Sequence, residues 1–175
     1  MEGLSCNDGC LVINLSKMSR MEMPDEETLI AEPGCILMQL YDFILPKGKI
    51  IPAGSCGTVG LGGLTTGGGY GLFSRQMGLT CDSLLEATMV DGKGTIHSTA
   101  GNPELLWALR GGGSGNFGVV TELKFRLHKA PETMQVHYFK SKELDAVKAK
   151  ELLQTWFTTV QALPLRCFSG FVLNG

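Results

Sequence analysis

Ile50-Ile51-Pro52-Ala53-Gly54-Ser55-Cys56-Gly57-Thr58-Val59-Gly60-Leu61-Gly62-Gly63-Leu64-Thr65-Thr66-Gly67-Gly68-Gly69-Tyr70-Gly71-Leu72-Phe73-Ser74 is the stretch on which the reading of this chain turns. It runs 25 positions without a charge, and nine of them are glycine. A run of that length invites comparison with a membrane span, which needs about 20 mostly apolar residues. Interleaved Gly, Ser and Thr make this one too polar in backbone for lipid, and it calls instead for buried, irregular main chain. Glycine lets main chain approach a ligand closely and adopt positive φ. Successive glycine N–H groups also form concave nests suited to anions and carbonyl oxygens. A second block, Gly111-Gly112-Gly113-Ser114-Gly115-Asn116-Phe117-Gly118, follows later in the chain. The two blocks either line one groove or make tight turns that pack strands together.

Gly113 to Gly118 matches G-x-G-x-x-G. The dinucleotide fingerprint needs a strand before it and a helix after it. Here the order is reversed. Asn102-Pro103 starts a helix, since Asn caps free N–H groups and Pro suits the first turn, and that helix runs Pro103–Arg110 and stops at Gly111. A strand is expected after the block, over 120–127, where Val120, Leu123, Phe125 and Leu127 oppose Glu122, Lys124 and Arg126. A Rossmann fold is therefore excluded, and no P-loop or G-x-S-x-G elbow is present.

Further strands are expected at 11–15, 28–31, 84–90, 134–139 and 168–173. Asp91-Gly92-Lys93-Gly94 turns the 84–90 strand back through Thr95 to Ser98 as a hairpin. Ile36, Leu37, Leu40, Phe43 and Ile44 share one helical face, and 144–160 is a second amphipathic helix. Pro131 marks a boundary. The chain closes on Asn174-Gly175, a hairpin-turn dipeptide with no strand after it. The sequence therefore reads as a piece at its C-terminus, and its start is equally abrupt.

The 175 residues carry 15 Lys+Arg and 17 Asp+Glu, a net charge of −2. That excludes a polycation for nucleic-acid backbone. Glycine at 24 of 175 is roughly twice the usual share, without the every-third-residue period of collagen. The six cysteines, Cys6, Cys10, Cys35, Cys56, Cys81 and Cys167, form no C-x-x-C pair. Neither they nor His97, His128 and His137 show metal-ligand spacing. No basic-then-apolar leader opens the chain. A reduced, cytoplasmic protein with no nucleic-acid or membrane partner is the default expectation.

Pro52 to Gly63, Gly67-Gly68-Gly69-Tyr70-Gly71, Leu79 to Ala87 and Asn102 to Val120 together resemble, in order and spacing, the berberine-bridge-enzyme-like FAD-linked oxidases of the PCMH-type FAD-binding superfamily. The likeness covers roughly residues 3 to 131. It implies an α+β fold, the PCMH-type two-subdomain FAD-binding fold. Residues 1–131 would be the FAD-binding domain and 132–175 the incomplete start of an α+β substrate domain. By position, Cys56 matches the cysteine that bonds to flavin C6 in bicovalent members. Thr58, Val59, Gly60, Gly62, Gly63, Gly67 and Gly68 match loop residues lining the cofactor, and Gly118 and Val119 match backbone contacts elsewhere on it. The implied chemistry is hydride transfer from a small alcohol, sugar or amine to FAD, with oxygen or another acceptor reoxidising it. Three departures stand out. The family's Arg-Ser-Gly-Gly-His-type loop has no counterpart in these residues and would lie upstream of Met1. Gly57 and Leu64 replace the usual proline and histidine. The substrate domain's tyrosine base is missing, and no catalytic base is assigned. The alternative is a catalytically inert, truncated FAD-binding fragment.

Each candidate also has a plainer reading. Cys56 could be a small buried apolar residue and Thr58 a turn hydroxyl. Arg110 reads as a cation at a helix C-terminus, and Asp82 as a local backbone cap. Trp107, Leu105, Leu106 and Leu109 read as core, and His97 and His128 as structural or exposed. Tyr70 and Tyr138 have nothing local to mark either as an acid/base group.

Overall fold

The computed structural model describes residues 8–141 and 144–173. Its centre is an antiparallel sheet of five strands in the order β1-β2-β6-β4-β5. These are β1 (Met21–Glu22), β2 (Thr28–Ala31), β4 (Leu84–Val90), β5 (Ile96–Ser98) and β6 (Val119–Arg126). A small second sheet pairs β3 (Lys49–Ile50) with β7 (His128–Lys129). Five α-helices, α1 (Leu37–Ile44), α2 (Leu61–Thr66), α3 (Ser74–Met77), α4 (Pro103–Leu109) and α5 (Ala146–Ala162), and two short 3-10 helices at Leu45–Lys47 and Thr80–Ser83 complete the described elements. This is the expected α+β class.

The sheet buries one face. Leu29 and Ala31 of β2, Leu123 and Phe125 of β6, and Leu84, Ala87 and Met89 of β4 lie in one core with Leu37, Leu40 and Ile44 of α1. Leu29, Leu84, Leu123 and Phe125 are fully buried, and truncating any one to Ala would cost about 2–5 kcal/mol. The pattern in β6 is only partly alternating because the ladder slips. Thr88 faces Glu122 and Met89 faces Val120, so Thr121 is left over as a bulge. Its Oγ1 donates to the Thr88 carbonyl at 3.3 Å. The slip returns Val120 to the side that Leu123 and Phe125 occupy.

The expected termini of α4 are observed. Asn102 Oδ1 accepts from the Leu105 N–H at 3.0 Å, and Pro103 is the first residue. Arg110 is the C-cap of α4, a cation at the helix C-terminus as expected. Its guanidinium also donates to the Leu84 carbonyl, with Nε at 3.0 Å, tying the end of α4 to the start of β4.

Several expectations are corrected. Residues 11–15, 134–139 and 168–173 are not strands. Each has β-favouring composition, but no described strand lies alongside to complete a ladder, and unpaired backbone goes to water. Leu11 and Phe139 accordingly stand 91% and 94% exposed. Trp107 is not core but 80% exposed on α4; Leu109 is the buried member of that group, and Leu105 and Leu106 pack partly against it. Cys6 and the Asn174-Gly175 dipeptide lie outside the described residues. Among the described residues no helix is long and apolar enough to cross a membrane.

Candidate functional site

The first glycine block is not irregular throughout. Its middle, Leu61–Thr66, is the short helix α2, which places Leu61, Gly62, Thr65 and Thr66 inside. Nothing in the sequence period announces a helix made of Leu, Gly and Thr. Within it, the buried Thr65 and Thr66 satisfy their hydroxyls on the Leu61 and Gly62 carbonyls, at 2.8 and 3.0 Å.

Ahead of α2, the loop bearing Cys56 is stitched to the start of α1. The first N–H groups of a helix have no partner within it. Here Leu37 N donates to Val59 O at 3.0 Å and Met38 N to Gly57 O at 2.9 Å. Leu61 N and Gly62 N donate in turn to Cys35 O and Pro33 O, at 2.7 and 3.0 Å. Behind the loop, the Tyr41 hydroxyl donates to Gly54 O at 2.5 Å. Burial pushes that phenol up to about 12, so it stays a neutral donor.

The candidate residues divide by what their surroundings show. Cys56, Thr58, Val59, Gly60, Gly63 and Gly67 are exposed along this ledge. The buried-apolar reading of Cys56 therefore fails. It is Cys35 and Cys81 that are buried, and burial raises both thiols. A Cβ on Gly60 would meet nothing within 4 Å, and one on Gly63 only the Ser114 hydroxyl at 3.5 Å. Gly62 and Gly118 differ. A Cβ on Gly62 would sit 2.6 Å from Pro33 Cβ, and one on Gly118, at φ +147°, would strike Met89 and the Val90 carbonyl at 2.4 Å. Those two are glycines because the protein itself fills the space. Gly68 is buried at φ +105°, and Val119 pairs with Val90 at the start of β6.

The two glycine blocks meet. Gly113 N donates to Thr66 O at 2.9 Å. Ser114 Oγ stands 3.1 Å from both Thr66 Oγ1 and Gly63 O. Sequence reasoning does not single out Thr66 and Ser114. The only signal is a hydroxyl residue beside each glycine run. Asp82 caps as expected, its Oδ2 accepting from Leu79 N at 2.7 Å. His97 Nε2 lies 2.8 Å from Asp91 Oδ2 in the hairpin, a hydrogen bond that holds the Asp91 carboxyl down at about 2. An open cavity of about 430 Å³ is lined by Tyr41, Gly54, Ser55 and Phe73 among others, and none of the candidate residues lines it.

This arrangement suits a flat, largely neutral group. The ledge presents exposed main chain with no side chain standing in front of Gly60, one thiol, and no charge from Ile50 to Ser74. Comparison with known proteins agrees. The FAD binding domain family matches residues 1–100. The chain is 43% identical over 139 residues to the FAD-linked oxidoreductase YvdP of Bacillus subtilis (strain 168), covering 77% of this chain and 31% of that one. It is 41% identical over 130 residues to berberine bridge enzyme-like 24 of Arabidopsis thaliana, covering 72% and 24%. Among solved structures, BBE-like #28 from Arabidopsis thaliana superposes with a TM-score of 0.65 at 36% identity, covering 69% of this chain and 25% of that one. A chitooligosaccharide oxidase gives 0.65 at 35%, covering 70% and 26%. The chain thus spans a third or less of the length of these relatives. Order of elements, sequence and superposition converge: the chain belongs to the FAD-binding domain family, among the berberine-bridge-enzyme-like, PCMH-type proteins.

Proposed function

We propose that this chain supplies part of the FAD cradle of an FAD-linked oxidoreductase acting on a small alcohol, sugar or amine. Residues 1–131 would form the cofactor side and 132–175 the first part of the substrate side. The observation that carries this is the junction of the two glycine blocks, Gly113 on Thr66, beside a ledge on which Cys56 is exposed. Bound FAD supplies the hydride acceptor. The chain's own part is to position and to shield. Main chain at Gly60, Gly63 and Gly67 offers contact without side chains, Thr58 and Val59 border it, and Gly118–Val119 hold the second block to the sheet. Cys56, with its thiol on the same ledge, is the residue we assign to a covalent tether. Oxygen or another small acceptor would complete turnover.

The test is a visible spectrum of the purified full-length protein together with the mass of its Cys56 tryptic peptide. A yellow protein whose Cys56 peptide carries the flavin mass is expected. A yellow protein with an unmodified Cys56 peptide removes the tether and keeps the cradle. A protein that takes up no FAD overturns both.

A further inference from the structure

We infer that Thr66 and Ser114 form a hydroxyl clasp that sets the spacing between the two glycine blocks, and that Ser114 is a positioning residue for the cofactor. This rests on the cradle reading above. Thr66 is 4% exposed. It contributes three contacts at the junction: Oγ1 to Gly62 O at 3.0 Å, Oγ1 to Ser114 Oγ at 3.1 Å, and its carbonyl to Gly113 N at 2.9 Å. Ser114 is exposed and reaches Gly63 O at 3.1 Å. Of the two consecutive glycine carbonyls, Gly62 O is held by Thr66 within α2 and Gly63 O is reached from the second block by Ser114.

Proton counting shows why the Ser114 hydroxyl matters. Each carries one hydrogen, and together they have two carbonyls and each other to satisfy. If Thr66 donates to Gly62 O, Ser114 can donate to Thr66 or to Gly63 O, not to both. If Thr66 donates to Ser114, then Ser114 donates to Gly63 O and Gly62 O goes without a hydroxyl donor. Each of these arrangements has a hydroxyl bond between the blocks, and each of them needs the Ser114 hydroxyl. Local stiffness does not replace it. Gly111, Gly113 and Gly115 all stand at positive φ, a glycine-permitted path with many alternatives. The Asn116 Nδ2 to Gly112 O bond, at 2.8 Å, lies within the second block and does not cross to the first. Apart from the Gly113 amide, the crossing bond is the clasp.

The test uses the full-length, flavin-loaded protein in a Cys56→Ala background, where the assigned tether cannot form and flavin can be released, with Ser114→Ala and Ser114→Thr. Ser114 is exposed, so its loss leaves the core intact and the far-UV circular dichroism melt close to wild type. Two readouts are taken: the rate at which flavin fluorescence appears below the melting range, and hydrogen exchange at the Gly113 amide. In Ser114→Ala both are expected to rise about three- to tenfold, the factor for one net hydrogen bond. In Ser114→Thr, which keeps the hydroxyl, both are expected to return to within about twofold of wild type. Unchanged fluorescence and exchange in Ser114→Ala overturn the clasp. Faster exchange with unchanged fluorescence overturns the positioning role. A wild-type protein that holds no flavin overturns the inference through the cradle reading beneath it, and is told apart because it fails before any substitution is made.

Discussion

The N–H of Met38 donates to the carbonyl of Gly57 at 2.9 Å, so the second residue of α1 holds the residue next to Cys56. A helix start that would otherwise leave its amides to water spends them on a loop, and the loop gains a fixed position on a rigid element. The loop bearing Cys56 is thereby held by the first turn of α1. The same economy appears at Leu37 and Val59, where the next amide along holds the next turn of the loop at 3.0 Å.

Gly62 and Gly60 should respond oppositely to alanine. At Gly62 the added carbon would press on Pro33 Cβ at 2.6 Å, and over-packing of that kind costs about 1–3 kcal/mol. At Gly60 the carbon enters open space at φ −73°, and stability should change by about 0.5 kcal/mol or less. Flavin binding should weaken in Gly60→Ala all the same, because the open space is where the cofactor is proposed to lie. Urea midpoints and flavin titration of the two variants separate packing from binding. A Gly60→Ala protein with wild-type flavin affinity would remove that glycine from the cradle.

His128 links folding to pH. Burial, and after it the positive charge of Arg126, lower its pKa in the folded state, and its Nε2 lies 3.0 Å from Ser83 Oγ. The unfolded chain takes up a proton near the ordinary value of about 6.5, before the folded one does. The neutral ring's contribution is therefore fully present above that value and is lost as pH falls from about 6.5 toward the lowered folded pKa. The urea midpoint should drop between pH 7.5 and 5.5 by more in wild type than in His128→Gln. Equal drops would show that burial of this ring does not control the slope.

Arg75 should hold the C-terminal segment in place. Its guanidinium donates to Leu163 O at 3.1 Å and Cys167 O at 3.2 Å, and the nearby rings of Tyr70 and Phe168 lie 6.3 Å apart. Arg75→Met keeps the stem and removes both donors. It should raise the rate of proteolytic cleavage between residues 131 and 146 about tenfold, while Arg75→Lys, which retains one donor group, falls between. Identical cleavage in all three proteins would show that the segment is held by its apolar contacts alone.

The sequence by itself determined those elements whose causes are local. β2 and β4 have the bounds read from their apolar runs, and α4 begins at Asn102-Pro103 because the cap and the fixed proline φ act within one turn. The glycine blocks and the thiol between them were legible because few backbones need so much freedom in so short a span. Only the tertiary structure decided the rest. The segments at 11–15, 134–139 and 168–173 have strand-like composition without a ladder partner, and a ladder is a property of two segments. Trp107 has core-like chemistry on the outward face of α4, and which face turns inward depends on what packs against it. Gly62 and Gly118 look in sequence like Gly60 and Gly63, yet Pro33, Met89 and Val90 fill the space beside them. That distinction, between a glycine required by the protein's own packing and one left open to a guest, depends on neighbours far away in sequence, as does the meeting of Thr66 with Ser114.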